Sequence, residues 1–242
     1  MSSVRALQAV LIDLDGTLMD TAPDLALAAN RMRRDFGLPA LALERIAAFV
    51  GKGAEVLIHR ALTDDMAGRV LEEQLARGRE SFYHHYHAVN GDEAIVFPGV
   101  TEALDRLRQA GLKLACVTNK PREFTVPLLE RVGLAPWFEV VVAGDDVPAK
   151  KPAPDPLLAA CEQLAVLPAA GLMIGDSAND WLAAQAAGMG CILVQTGYNE
   201  GEPVTALAGK PGLTAIVLDM SDAADRVAHL LHHDTVRALH RA

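Results

Sequence analysis

A chain of 242 residues, 51% hydrophobic and 22% charged, has the make-up of an ordinary globular protein with enough apolar material for a sizeable core. Its formal net charge of −9 leaves no basic footprint for DNA or RNA, and an anionic substrate would need a local cation to enter and stay. No stretch approaches roughly 18 consecutive apolar residues and no long apolar run precedes the first carboxylate, so no membrane association is expected and the cytoplasm is the expected compartment.

The first predicted strand, Gln8–Asp13, runs straight into Asp13-Leu14-Asp15-Gly16-Thr17. Two carboxylates one residue apart repel, and near an apolar interior each also loses hydration. A turn would account for an isolated Asp-Gly. From about Thr21 to Gly91 no strand follows, only helical patterns at Ala22–Phe36, Leu43–Val50, Ala54–Leu62 and Met66–Ala88. That is too long for one crossover, so 21–91 is expected to be an inserted helical domain, with Asn90–Asp92 and the Phe97-Pro98-Gly99 turn as its hinge. An insertion rooted beside a carboxylate pair is well placed to act as a lid. Within it, Tyr83-His84-His85-Tyr86-His87 cannot converge on one metal, because successive residues point around the helix.

Residues 92–242, with 1–20, are expected to form the second unit, in which strands and helices alternate. Helix Val100–Ala110 stops at Gly111, strand Leu112–Thr118 leads to helix Pro121–Val132 and Gly133, and strand Glu139–Ala143 precedes helix Pro154–Ala165. Strand Gly171–Gly175, helix Ser177–Ala187 with Gly188, and strands Gly190–Gln195 and Thr214–Leu218 complete the series; His229, His232 and His233 read as a polar helix end. The strands are apolar nearly throughout, as for strands covered on both faces. The fold class is therefore α/β, a doubly wound parallel sheet with a helical insertion. Cys116, Cys161 and Cys191 lack metal-ligand spacing and fit this core as small reduced side chains.

Ligands of such sheets bind outside the carboxyl ends of the strands, where strand order reverses. Each of the first four major strands ends in polar residues: Asp13, Asp15, Gly16 and Thr17; Thr118-Asn119-Lys120; Gly144-Asp145-Asp146 leading to Lys150-Lys151-Pro152; and Gly175-Asp176-Ser177-Ala178-Asn179-Asp180. Several carboxylates in one cleft require a cation, and an all-oxygen set suits Mg²⁺, which keeps waters and takes a phosphate oxygen. Thr118 and nearby amides could hold phosphate oxygens beside Lys151. One Asp could attack phosphorus while the other moves a proton.

With its four motifs in order, the sequence resembles the haloacid dehalogenase superfamily phosphatases: Asp13-Leu14-Asp15-Gly16-Thr17, then Thr118 with Asn119-Lys120, then Lys151 before Pro152, then Gly175-Asp176-Ser177-Ala178-Asn179-Asp180. The resemblance implies Asp13 as nucleophile and Asp15 as general acid/base. It implies Mg²⁺ on the Asp13 carboxylate, the Asp15 main-chain carbonyl and Asp176, supported by Asp180. It gives phosphate binding to Thr118 and Lys151, helped by Asn119, and prefers Lys151 to Lys150 for its place before proline. Gly16 and Thr17 complete the first motif, and the insertion is similar to the family's small helical cap. With Lys-Pro-x-Pro-x-Pro-Leu and Thr196-Gly197-Tyr198-Asn199, the motifs resemble those of phosphoglycolate phosphatases, which implies 2-phosphoglycolate as the small-molecule substrate.

Three other readings compete. A dehalogenase on this fold would need neither Asp15 nor a metal. A sugar-phosphate phosphatase or phosphomutase would share the motifs and differ in the insertion. A phosphorylation-controlled receiver-type module would be much shorter and uninserted. Lys52, between Gly51 and Gly53 at the start of a helical pattern, fits an ordinary interhelical turn with a solvated lysine. The loop also resembles the family's cap specificity loop, which implies Lys52 as the partner for a carboxylate on the leaving group, with the glycines allowing close backbone approach and the helix N-terminus attracting anions.

Overall fold

The computed structural model describes residues 6–239. Strand β1 (Ala9–Ile12) is followed by a two-residue strand β2 (Met19–Asp20) and by helices α1 (Ala22–Asp35), α2 (Leu43–Ala47), α3 (Ala54–Thr63) and α4 (Glu72–His87). A second two-residue strand, β3 (Ile95–Val96), precedes α5 (Val100–Gln109), β4 (Lys113–Val117), α6 (Arg122–Arg131) and β5 (Val140–Val142). Then come α7 (Asp155–Gln163), β6 (Gly171–Gly175), α8 (Ala178–Ala187), β7 (Gly190–Val194), β8 (Leu213–Val217) and α9 (Met220–Leu239).

Six strands form one sheet in the order β5-β4-β1-β6-β7-β8, and every pair is parallel. The chain moves outward from β1 to β4 and β5, then crosses to β6 on the other side of β1. That reversal opens a crevice at the carboxyl ends of β1 and β6. All four residues of β1 are fully buried, and they alternate between two cores. Val10 and Ile12 pack with Leu104, Leu128 and Met220 from α5, α6 and α9, whereas Ala9 and Leu11 pack with Leu157 and Ala183 from α7 and α8. Burial on both faces is why these strands are apolar throughout. No helix among the described residues is long and apolar enough to cross a membrane.

Helices α1–α4 have a third core of their own, built on Met32, Ile46, Phe49, Ile58 and Phe82, into which Phe124 of α6 also inserts. Two chain segments connect this helical unit to the sheet. They pair as β2 and β3, with Met19 opposite Val96 and Asp20 opposite Ile95. Asp24, fully buried at the start of α1, accepts the amides of Gly91 (2.7 Å) and Glu93 (2.9 Å), so one carboxylate clamps the returning segment to the outgoing one.

The helix expected over Met66–Ala88 starts later, at Glu72. Asp64 takes a left-handed conformation that ends α3, Asp65 accepts the Ala67 amide, and the Val70 amide donates to His59 Nδ1. These local bonds hold 64–71 as a loop folded against α3, where short polar side chains outcompete helix. The His/Tyr cluster does not converge: His85 meets Asp35, His87 meets Glu123, and Tyr86 turns inward. The three cysteines are buried free thiols. The side chain of His233 lies outside the described residues.

Replacing Asp24 by alanine strands two buried amides. Asp24→Ala is expected to lower unfolding stability by about 3 kcal/mol, the size of two lost charge-assisted bonds with partial replacement by water. A loss below about 1 kcal/mol in urea titration would show that the clamp contributes little.

Candidate active site

The crevice at the switch point is lined from below by the strand ends and from above by the helical unit. Beyond β1 the Asp13 amide still pairs with Ile174 O of β6, and the chain then turns on Gly16 at φ 83°. A β-carbon at Gly16 would stand 2.6 Å from Asp176 Oδ2, so only glycine fits both the turn and its neighbour. The turn delivers Thr17, whose hydroxyl donates to Asp176 Oδ1 at 3.1 Å.

Lys151, fully buried, lies at the centre. Its ammonium donates to Val117 O (2.8 Å) and Asp180 Oδ1 (2.7 Å) and stands 2.9 Å from Asp13 Oδ1. Asp180 also accepts from the amide and hydroxyl of Ser177, closing the first turn of α8. Asp176 accepts the Tyr198 amide at 2.9 Å. Thr118 is buried at the end of β4, where its hydroxyl accepts the Lys120 amide. The structure thus brings Asp13, Thr118, Lys151, Asp176 and Asp180 together. Lys150 instead lies against Gly53.

Oxygens of Asp13, Asp176 and Asp180 lie within 4.8 Å of one another. Burial, opposed by Lys151 and reinforced by Asp180, pushes the Asp13 carboxyl up to about 7. Burial together with Asp180 and Asp13 pushes Asp176 well above the usual carboxylate range. Three carboxylates against one ammonium leave a deficit of positive charge, and the donor set is all oxygen, so the residues present fit a hard divalent cation. Asp13 and Asp176 line the crevice and are open to it, whereas Asp180 is not part of the lining and its oxygens hold Lys151 and Ser177.

Two expected phosphate or substrate residues have other work. Asn119 donates through Nδ2 to Gly51 O (2.9 Å) and Lys151 O (2.8 Å) and accepts the Lys151 amide (2.9 Å), so its amide braces Lys151 and the 51–53 loop. Lys52 pairs with Glu200 Oε2 at 2.8 Å, is 39% exposed, and is not among the residues lining the cavity. The flanking glycines do give close approach, but to protein: a β-carbon at Gly53 would lie 3.1 Å from Asn119 O.

Sequence reasoning gave no role to Lys120 or Tyr86. The Lys120 ammonium, 3% exposed, contacts Asp15 Oδ1 at 3.0 Å and the Tyr86 hydroxyl. Asp15 also accepts from the Thr21 hydroxyl at 2.6 Å. The place of Lys120 two residues beyond Thr118, in the same polar strand end, was the available signal.

A family model for haloacid dehalogenase-like hydrolases matches residues 7–188. The chain belongs to the haloacid dehalogenase-like hydrolases. Within this family it is 48% identical over 198 residues to phosphoglycolate phosphatase of Nitrosospira multiformis, covering 82% of this chain and 87% of that one. It is 50% identical over 191 residues to a plasmid-encoded phosphoglycolate phosphatase of Cupriavidus necator, covering 78% and 81%. The fold is similar to the crystal structure of a predicted phosphoglycolate phosphatase from Haemophilus somnus, with TM-score 0.83, 30% identity, and coverage of 92% of this chain and 99% of that one.

The raised carboxyls make a stability prediction with a definite sign. With its folded pKa near 7 against 3.8 unfolded, Asp13 keeps a proton that the unfolded chain releases, so without metal its contribution to stability falls as pH rises from about 4 to about 7. A divalent cation bound to the ionised pair would reverse this. The rise in Tm on replacing EDTA by Mg²⁺ is therefore expected to be larger near pH 7.5 than near pH 5, and Asp176→Ala should remove most of it. An equal rise at both pH values would contradict the assignment.

Proposed function

We propose that this hydrolase is a Mg²⁺-dependent phosphate monoesterase that takes 2-phosphoglycolate and works through an aspartyl phosphate on Asp13. The observation that carries the reading is Asp13 held 2.9 Å from the Lys151 ammonium, beside Asp176 and Thr118. A carboxylate next to a fixed cation and a hydroxyl is placed to meet a phosphoryl group. The names of the relatives supply the substrate, and the small, largely apolar space under α3 and α4 supports a small leaving group.

Asp13 attacks phosphorus and the ester oxygen leaves. Asp15 gives that oxygen a proton and afterwards takes one from the water that attacks the acyl phosphate. Lys151 and Thr118 bind the phosphoryl oxygens, with Lys151 kept in register by Asn119 and Asp180. Asp13, the Asp15 main-chain carbonyl and Asp176 would hold Mg²⁺, which when bound offsets the charge of the carboxylates and phosphate. Residues 21–91 serve as the cap and select the leaving group, while 1–20 and 92–242 form the catalytic core. The buried free thiols suit a reducing compartment, and we place the enzyme in the cytoplasm.

The test is phosphate release from 2-phosphoglycolate and from an activated aryl phosphate, with Mg²⁺ or EDTA. Activity is expected to require Mg²⁺. Asp13→Asn should lose both reactions, because an amide is too weak a nucleophile. Asp15→Asn should keep more of the aryl ester reaction, whose leaving group needs no proton. Equal residual aryl phosphatase activity in the two variants would refute the division of roles, and full activity in EDTA would refute the metal.

Asp176→Ala and Asp180→Ala separate ligand from support. The first should raise the Mg²⁺ concentration giving half-maximal rate by at least about tenfold. The second should chiefly impair folding and the position of Lys151, since its oxygens hold that ammonium and the first turn of α8 and it does not line the crevice. Identical metal dependences in Asp176→Ala and wild type would remove Asp176 from the ligand set.

A further inference from the structure

Resting on the reading of 2-phosphoglycolate as substrate, the structure also bears on which group recognises its carboxylate. The candidate cations differ in how much hydrogen-bonding capacity they have left. Lys151, in contact with Val117 O, Asp180 and Asp13, is committed to the phosphoryl group. Lys52 is held by Glu200 outside the cavity lining, and the buried Arg60 is taken up by Phe49 O, Met66 O and Glu200. Lys120 lines the cavity and is nearly fully buried, yet among the described residues its ammonium has two acceptors, Asp15 and Tyr86. One N–H is left for a ligand.

Its position suits that use. Lys120 contacts Asp15, which serves the leaving oxygen, and lines the same cavity as the apolar side chains of Leu57, Phe82 and Phe124. In 2-phosphoglycolate a single methylene separates the leaving oxygen from the carboxylate carbon. A group that touches the proton donor therefore also reaches the carboxylate, and an apolar wall offers that charge no alternative partner. The Lys120 ammonium also lies 4.8 Å from the centre of the Tyr86 ring, so a side chain of α4 fixes it from the cap side.

We propose that Lys120, held by Asp15 and Tyr86, is the specificity-determining residue that receives the carboxylate of the leaving group. Tyr86 is a positioning residue: it acts through Lys120 and ties recognition to the cap being in place.

The test compares kcat/KM for 2-phosphoglycolate with kcat/KM for its neutral carboxamide counterpart, phosphoglycolamide, in wild type, Lys120→Met, Lys120→Arg and Tyr86→Phe. Loss of the contact to Asp15 affects both esters alike, so the ratio isolates the carboxylate. Lys120→Met should lower the ratio by at least about tenfold, mostly through KM for the charged ester. Lys120→Arg should restore part of it, and Tyr86→Phe, which keeps the packing, should lower it several-fold. Should Lys120→Met fail to fold, Tyr86→Phe and Lys120→Arg still decide the matter: a wild-type ratio in both overturns the proposal. It is equally overturned if Lys120→Met slows both esters by the same factor, or if Lys52→Ala collapses the ratio while Lys120→Met leaves it intact. Failure of the underlying substrate reading has a different signature, a wild-type enzyme that shows no preference for the charged ester.

Discussion

The site is organised around one ammonium that three oxygens hold in place. Lys151 sits where β1, β4 and α8 converge, and its partners come from each: the Asp13 carboxylate, the Val117 carbonyl and the Asp180 carboxylate. Each carboxylate alone would be costly in such a buried position, and so would the lysine. Together they fix the distance between the strand that carries Asp13 and the helix that Asp180 caps. A third carboxylate, Asp176, lies close enough to repel the other two, which with all three ionised leaves the cluster two positive charges short. That shortage makes the pocket receptive to a divalent cation and then to a phosphoryl group, which would be repelled from three bare carboxylates.

The helical unit is joined to this centre by side chains rather than resting on it as a separate lid. Asn119 bonds at once to Lys151 and to the 51–53 loop. Phe124, in the first turn of the helix that follows Lys120, belongs to the apolar core of the helical unit. Tyr198 donates its amide to Asp176, accepts the amides of Thr21 and Ala22 at the start of α1, and donates its hydroxyl to Asp20 of β2. The next loop residue but one, Glu200, pairs with Lys52 and Arg60. Displacing the cap therefore breaks bonds that also orient the carboxylate cluster.

Much of this was legible in the sequence, and the reason is the parallel sheet. Strands covered on both faces must be apolar, so polar residues at their ends stand out, and Asp13, Thr118, Lys151 and Asp176 could be read as one group from four such ends. The sheet order then brings them together with no further information. The short ladder of β2 and β3 was not legible, because two residues are too few to show a period. The 64–71 loop was not legible either, since its apolar residues keep helical spacing while the left-handed Asp64 ends α3 and Asp65 bonds the Ala67 amide against it.

That the sequence drew attention to Lys52 and not to Lys120 has one physical cause. Sequence marks Lys52 as exceptional because two glycines surround it, and glycines signal close approach without saying to what. Here they let Gly51 O and the Gly53 backbone come down onto Asn119, and the residue between them points the other way, to Glu200. Lys120 by contrast looks unremarkable, a lysine after Asn119 at the mouth of a strand. Its partners come from positions far apart in the chain, Asp15 before the insertion and Tyr86 at its last helix, so only the closed arrangement of cap and core brings them together. Polar residues at the ends of buried strands can be recognised one strand end at a time. A residue such as Lys120, which faces the boundary between two units, takes its meaning from how they meet.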